Sequence, residues 1–126
     1  MHLESVRSHQ PLVAIVDDDE DVRFSLEALV HSMGHKVAAF PSADHLLGSA
    51  TLDHVNCVVS DVQMPGTNGI QLVRELRRKS GPPVILITAY PARDIEEQAR
   101  KAGAVCFLRK PFAPVDLMDE LDRILS

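Results

Sequence analysis

The chain is 126 residues long, 45% hydrophobic and 25% charged, and 13 basic against 18 acidic side chains leave a formal net charge of −5. That describes one domain with its own core; no apolar run approaches the roughly 20 residues of a membrane span and the first ten residues lack the apolar stretch of a signal peptide, so a cytoplasmic location is expected. Its acidity argues against nucleic-acid binding by these residues, which needs a basic stripe to displace counterions from phosphates.

Leu12 to Val16 is a short apolar run, followed by Val22, Leu26, Leu29, Val30 and Met33 at helical spacing. This predicts a strand and then a helix, closed by Gly34. Lys36 to Phe40 reads as a more polar second strand, suited to a sheet edge. Pro41 and Ser42 open a short helix over about 42 to 49, and Val55 to Ser60 forms a third strand running into Asp61. Gly66, Asn68 and Gly69 mark a loop before a helix from about Ile70 to Lys79. Gly81, Pro82 and Pro83 then precede an apolar fourth strand, Val84 to Ile87. Residues 92 to 102 read as a fourth helix and Val105 to Leu108 as a fifth strand. Leu117, Leu121, Ile124 and Leu125 line a last helix. Strands that alternate with helices, several of them continuous Val/Ile/Leu runs, predict an α/β fold with a parallel sheet covered on both faces. Cys57 and Cys106, 49 residues apart without metal-ligand spacing, read as buried free thiols.

Ligands of such open sheets bind beyond the carboxyl ends of the strands. There the sequence places Asp17, Asp18, Asp19 and Glu20 after strand one, Asp61 after strand three, Thr88 after strand four, and Arg109 and Lys110 after strand five. Crowded carboxylates repel, and a divalent cation relieves the repulsion. All-oxygen ligands suit Mg²⁺, which keeps several waters and completes its shell with phosphate. A lysine and a hydroxyl facing the carboxylates add donors for phosphoryl oxygens, so the edge is suited to phosphoryl transfer. An acidic run after a strand also serves simply to start a helix, and that role suffices for Asp19 and Asp21.

The order of these motifs resembles the receiver domains of two-component response regulators, the CheY-like superfamily, over residues 11 to 125. AIVDDDEDVR (14 to 23) looks like the family's acidic pair, VVSDVQMPGTNG (58 to 69) like its phosphoacceptor turn, VILITAYP (84 to 91) like its hydroxyl switch, and AGAVCFLRKPF (102 to 112) like its lysine turn. The phosphoacceptor turn and the Lys-Pro-Phe ending are most similar to FixJ-like receivers. The resemblance implies a doubly wound, flavodoxin-like five-stranded sheet in the order 2-1-3-4-5 with five helices, as residues 11–126 behind an N-terminal tail of residues 1–10.

It further implies that Asp61 accepts a phosphoryl group from a sensor histidine kinase, and that the protein is a switch with at most intrinsic self-phosphorylation and self-dephosphorylation. Asp18, Asp61 and the Gln63 backbone carbonyl would ligate Mg²⁺, with Asp17 holding a metal-bound water. Lys110 would pair with Asp61 at rest and with a phosphoryl oxygen afterwards, aimed by a Lys110–Pro111 bond able to be cis. Thr88 and Phe107 match the family's switch residues. They would alter the surface of helix four, strand five and helix five, a surface for output or a phosphorylation-dependent homodimer. Ile95, the fourth helix's only large aliphatic, sits in a thin apolar stripe that suits an element of low stability. Gln63 and Tyr90 depart from the commonest family pattern, and Tyr90 is placed to shield the acyl phosphate. Phe24 lies about 175° from the centre of the first helix's apolar stripe, which makes it a candidate kinase anchor, with His31 on the same side.

FixJ-like receivers usually precede a DNA-binding domain, so the expected output is transcription; a stand-alone receiver or relay component is the alternative. A haloacid-dehalogenase-like phosphatase would need Asp-x-Asp-x-Thr/Val after strand one, whereas Asp17, Asp19 and Asp21 occupy those places. A flavodoxin-like cofactor carrier would need a phosphate loop where three aspartates stand. A calcium loop counted from Asp17 would put Val22 at its turn glycine. His2, His9, His31, His35, His45 and His54 show no metal spacing.

Overall fold

In the computed structural model, which describes residues 10–89 and 93–126, the elements follow in the order β1 (Leu12–Val16), α1 (Glu20–Ser32), β2 (Lys36–Phe40), α2 (Ala43–Leu47), a 3-10 helix (Ala50–His54), β3 (Cys57–Asp61), α3 (Gly69–Arg78), β4 (Val84–Thr88), α4 (Arg93–Ala102), β5 (Cys106–Arg109) and α5 (Pro114–Leu125). All strand pairs are parallel, in the order β2-β1-β3-β4-β5, with the polar β2 at an edge. The predicted doubly wound sheet and its five α-helices are therefore present. Tyr90 and the expected tail, apart from Gln10, lie outside the described residues.

Two-residue periodicity divides the strands between two cores. Ala14, Val16, Val58 and Leu86 face α2, α3 and α4, where Leu46, Leu72, Leu76, Ala99 and Ala102 are buried. Val13, Ile15, Val59, Ile85 and Ile87 face α1 and α5, meeting Leu26, Val30, Leu117 and Leu121. Burial on both faces explains the continuous apolar runs of β1, β3 and β4. On α4 only Ala99 and Ala102 are buried and Ile95 is half-buried, the thin attachment its sequence predicts. Phe24 is 74% exposed, as its helical position predicts.

The differences from expectation are local. The helix expected over 42 to 49 is only Ala43–Leu47, because Ser42 caps its start and Gly48 its end. The 3-10 helix that follows was not predicted. It displaces the start of β3 from Val55 to Cys57: Val55 closes the 3-10 turn, and Asn56 exchanges hydrogen bonds with Leu12 through its backbone N–H and its side-chain oxygen, at 2.8 and 2.9 Å. β5 begins at Cys106, leaving Val105 exposed, and runs through Arg109. Cys57 is a buried thiol whose pKa burial pushes up to about 12, but Cys106 is only half-buried on the edge strand, beside Glu120.

Candidate phosphoryl-transfer site

Register brings the acidic residues together. Val16 pairs with Ser60, so the residues that follow, Asp17 and Asp61, emerge side by side. Asp61 in turn aligns with Ile87, one residue before Thr88, and Thr88 aligns with Arg109, one residue before Lys110. The Lys110 N–H donates to the Thr88 carbonyl at 2.7 Å, tying the lysine to the end of β4, and the Lys110–Pro111 bond is cis.

Asp17 is 2% exposed. Its Oδ1 accepts the Asp19 N–H at 2.9 Å, and its carbonyl accepts Arg23 Nη1 at 2.8 Å. Asp19 is consumed by the helix start: its Oδ1 accepts the Asp21 and Val22 N–H groups at 2.9 and 3.3 Å, while Glu20 and Asp21 fill the acidic first turn of α1. Asp18, by contrast, is exposed and Asp61 half-buried. Carboxylate oxygens of Asp17, Asp18 and Asp61 all lie within 4.8 Å of one another.

That crowding has an electrostatic cost. Burial, followed by the neighbouring Asp17 carboxylate, pushes the Asp61 pKa up to about 6, against Lys110 and the Gln63 and Val62 N–H groups, which favour its anion. Asp17 is raised too, chiefly by burial, against the Asp19 N–H and Lys110. Lys110 Nζ is 3.7 Å from Asp17 Oδ2, so its ion pair is with Asp17 and not with Asp61 as expected. The deeper carboxylate, furthest from water, gains more from the cation. Three carboxylates that repel one another in a partly desolvated, all-oxygen site have the chemistry of a Mg²⁺ site.

Thr88 is fully buried, Gln63 is exposed, and Phe107 is half-buried on β5 against the α2/α3/α4 core. Phe24 stands apart from the carboxylates, in a shallow groove of about 310 Å³ with Glu27, Ala28, His31 and Val37. Two features escaped sequence reasoning. Arg23 bonds the Asp17 carbonyl, although its place in AIVDDDEDVR marks it only as one more charge on α1. An apolar cleft of about 620 Å³ lies between α1 and the loop after β5, lined by Val22, Leu26, Ile87, Lys110 and Phe112, and it forms only when segments distant in sequence meet.

The family model described as "Response regulator receiver domain" matches residues 13–122. The chain belongs to the response regulator receiver family. The receiver is 40% identical over 113 residues to Nodulation protein W of Bradyrhizobium diazoefficiens, covering 89% of this chain and 50% of that protein. It is 38% identical over 101 residues to Transcriptional regulatory protein FixJ of the same organism, covering 79% of this chain and 49% of that one. The receiver thus spans about half the length of these relatives. Among solved structures, the FixJ-N crystal structure superposes with a TM-score of 0.82 at 34% identity, covering 92% of this chain and 94% of that one. The Vibrio cholerae chemotaxis protein CheY4 does so with a TM-score of 0.82 at 25% identity, covering 91% and 98%. The FixJ-like character read from the phosphoacceptor turn and the Lys-Pro-Phe ending agrees with this likeness.

Proposed function

We propose that residues 11–126 act as a Mg²⁺-dependent phosphoacceptor switch. An Asp61 carboxylate oxygen attacks the phosphorus of a phosphohistidine on a sensor histidine kinase; the new O–P bond forms as the P–N bond breaks, and the imidazole leaves with a proton. Asp18, Asp61 and the Gln63 carbonyl would hold Mg²⁺, with Asp17 in reach through a water, and the bound ion would supply positive charge to offset that of the attacking oxygen and the phosphoryl group. Lys110 moves from Asp17 to a phosphoryl oxygen, Thr88 follows with its hydroxyl, and Phe107 transmits the change to α4, β5 and α5. Ile95 and two buried alanines hold α4 lightly enough for it to respond. Phe24, exposed on α1, anchors the kinase.

The observation that carries this reading is the convergence of Asp17, Asp18 and Asp61 within 4.8 Å, with Lys110 at their edge. The names of Transcriptional regulatory protein FixJ and of the C4-dicarboxylate transport transcriptional regulatory protein DctD of Pseudomonas aeruginosa, 38% identical over 118 residues, support a transcriptional output, and a cytoplasmic location goes with that reading. No described helix is long and apolar enough to cross a membrane. Incubation with a small acyl phosphate and Mg²⁺ tests the reading. One phosphoryl group per chain, absent with chelator or in Asp61→Asn, supports a switch; fast turnover of the donor without labelled protein would indicate a phosphatase instead.

A further inference from the structure

The segment between β3 and α3 is pinned at its ends. Val62 N–H donates to the Ile87 carbonyl at 2.9 Å and Gly69 N–H to the Val62 carbonyl at 3.0 Å, while Asn68 and Gln71 form a reciprocal capping box that opens α3. Between those pins, besides the Val62 and Gln63 N–H groups that face the Asp61 carboxylate, a side-chain hydrogen bond ties the segment to α2: Thr67 Oγ1 donates to Asp44 Oδ1 at 2.8 Å. The other oxygen of the same carboxylate lies over Gly66, where an added Cβ would sit 3.4 Å from Asp44 Oδ2. The φ of Gly66 is +75°, in the left-handed region that favours glycine, so the backbone turns beneath Asp44 at a residue suited to that turn. Asp44 itself is firmly placed. It sits on α2 between the fully buried Ala43 and a helix turn anchored by the fully buried Leu46, behind the Ser42 cap.

We propose that Asp44 and Thr67 are positioning residues for the phosphoacceptor site. They fasten the segment that carries Gln63 to a core-anchored helix, so the Gln63 carbonyl and Asp61 are presented to Mg²⁺ already ordered. The inference rests on the reading of Asp61, Asp18 and Gln63 as the metal site. A segment held in place loses less conformational entropy on binding than a free one, and that difference appears as affinity. The bond is charge-assisted, stronger than one between neutral partners. Neither residue belongs to the carboxylate cluster, so both act through the segment.

Calorimetric titration of the whole chain with MgCl₂ tests this. Thr67→Val and Asp44→Ala each raise the Mg²⁺ Kd about three- to tenfold, the net scale of one hydrogen bond, because the pair is at the surface and water screens its charge. Thr67→Ser, which keeps the hydroxyl, restores the wild-type Kd, and Asp44→Asn, which keeps an acceptor without the charge, falls between. The double variant is no weaker than either single one, since both remove the same bond. Melting in chelator serves as the structural control: the bond is at the surface, so the unliganded variants melt close to wild type. Unchanged Kd values in Thr67→Val and Asp44→Ala, with wild type binding normally, overturn the positioning role and leave the phosphoacceptor reading intact. A wild-type chain that does not bind Mg²⁺ overturns both.

Discussion

Replacing the phosphoacceptor carboxylate by its neutral isostere should make the metal-free protein more stable. Asp61 sits against Asp17 and Asp18, and its pKa rises from 3.8 to about 6, chiefly through burial. That rise corresponds to about 3 kcal/mol of lost stability once the group is ionised. Asp61 is only half-buried and water screens part of the effect, so about 1–2 kcal/mol is expected. The sign follows from proton linkage: between 3.8 and about 6 the folded chain binds the proton more tightly than the unfolded one, so the site's contribution falls as pH rises through that window and the full penalty is present above it. Urea unfolding of wild type and Asp61→Asn in chelator checks this. At about pH 7.5 the variant should unfold at higher urea by the equivalent of about 1–2 kcal/mol, and the difference should close as the pH falls below about 4. Saturating Mg²⁺ should shrink or reverse the advantage by stabilising wild type more. A variant equal to or weaker than wild type at the higher pH in chelator would refute the account of a site held under carboxylate repulsion.

Other outcomes follow from single contacts. Lys110→Ala in chelator at about pH 7.5 should lose about 1–2 kcal/mol in urea unfolding, because the buried Asp17 carboxylate is left without its cation, less than for a fully buried pair since Lys110 itself reaches water. Gly69→Ala should be far more damaging: the added Cβ would lie 2.4 Å from the Asp61 carbonyl oxygen and 2.9 Å from Val62 Cα, backbone atoms without freedom to withdraw. About 2–4 kcal/mol should be lost, read from the urea midpoint, together with Mg²⁺ affinity. Phe24→Ala, at a site 74% exposed, should leave stability within about 0.5 kcal/mol and labelling by a small acyl phosphate unchanged, while slowing transfer from the cognate kinase. Equal kinase rates would remove Phe24 from the docking face.

The strand ends that carry the chemistry were legible in the sequence because burial on both faces of a parallel sheet leaves an unmistakable apolar run. Leu12 to Val16 is found where predicted, and the residues after it fall beside Asp61 through register alone. Legibility failed where the local signal was mixed. The 3-10 helix Ala50–His54 has no buried residue, so no periodicity announced it, and the apolar Val55 looked like the start of a strand. Within the site, residue types were readable but partner choice was not. Asp17 and Asp18 are adjacent and chemically alike, yet one is buried and the other exposed, and it is the buried one that pairs with Lys110. The Thr67–Asp44 bond joins residues 23 apart, which only the folded chain brings together.

The most direct test of the central claim is chemical trapping of the acyl phosphate. After reaction with a small phosphodonor and Mg²⁺, borohydride reduction converts a phosphorylated aspartate to homoserine, which peptide mass spectrometry locates. The account predicts homoserine at residue 61 alone, dependent on Mg²⁺ and absent when Asp61 is replaced by Asn. Homoserine at residue 17 or 18 instead, or labelling that persists in Asp61→Asn, would contradict it.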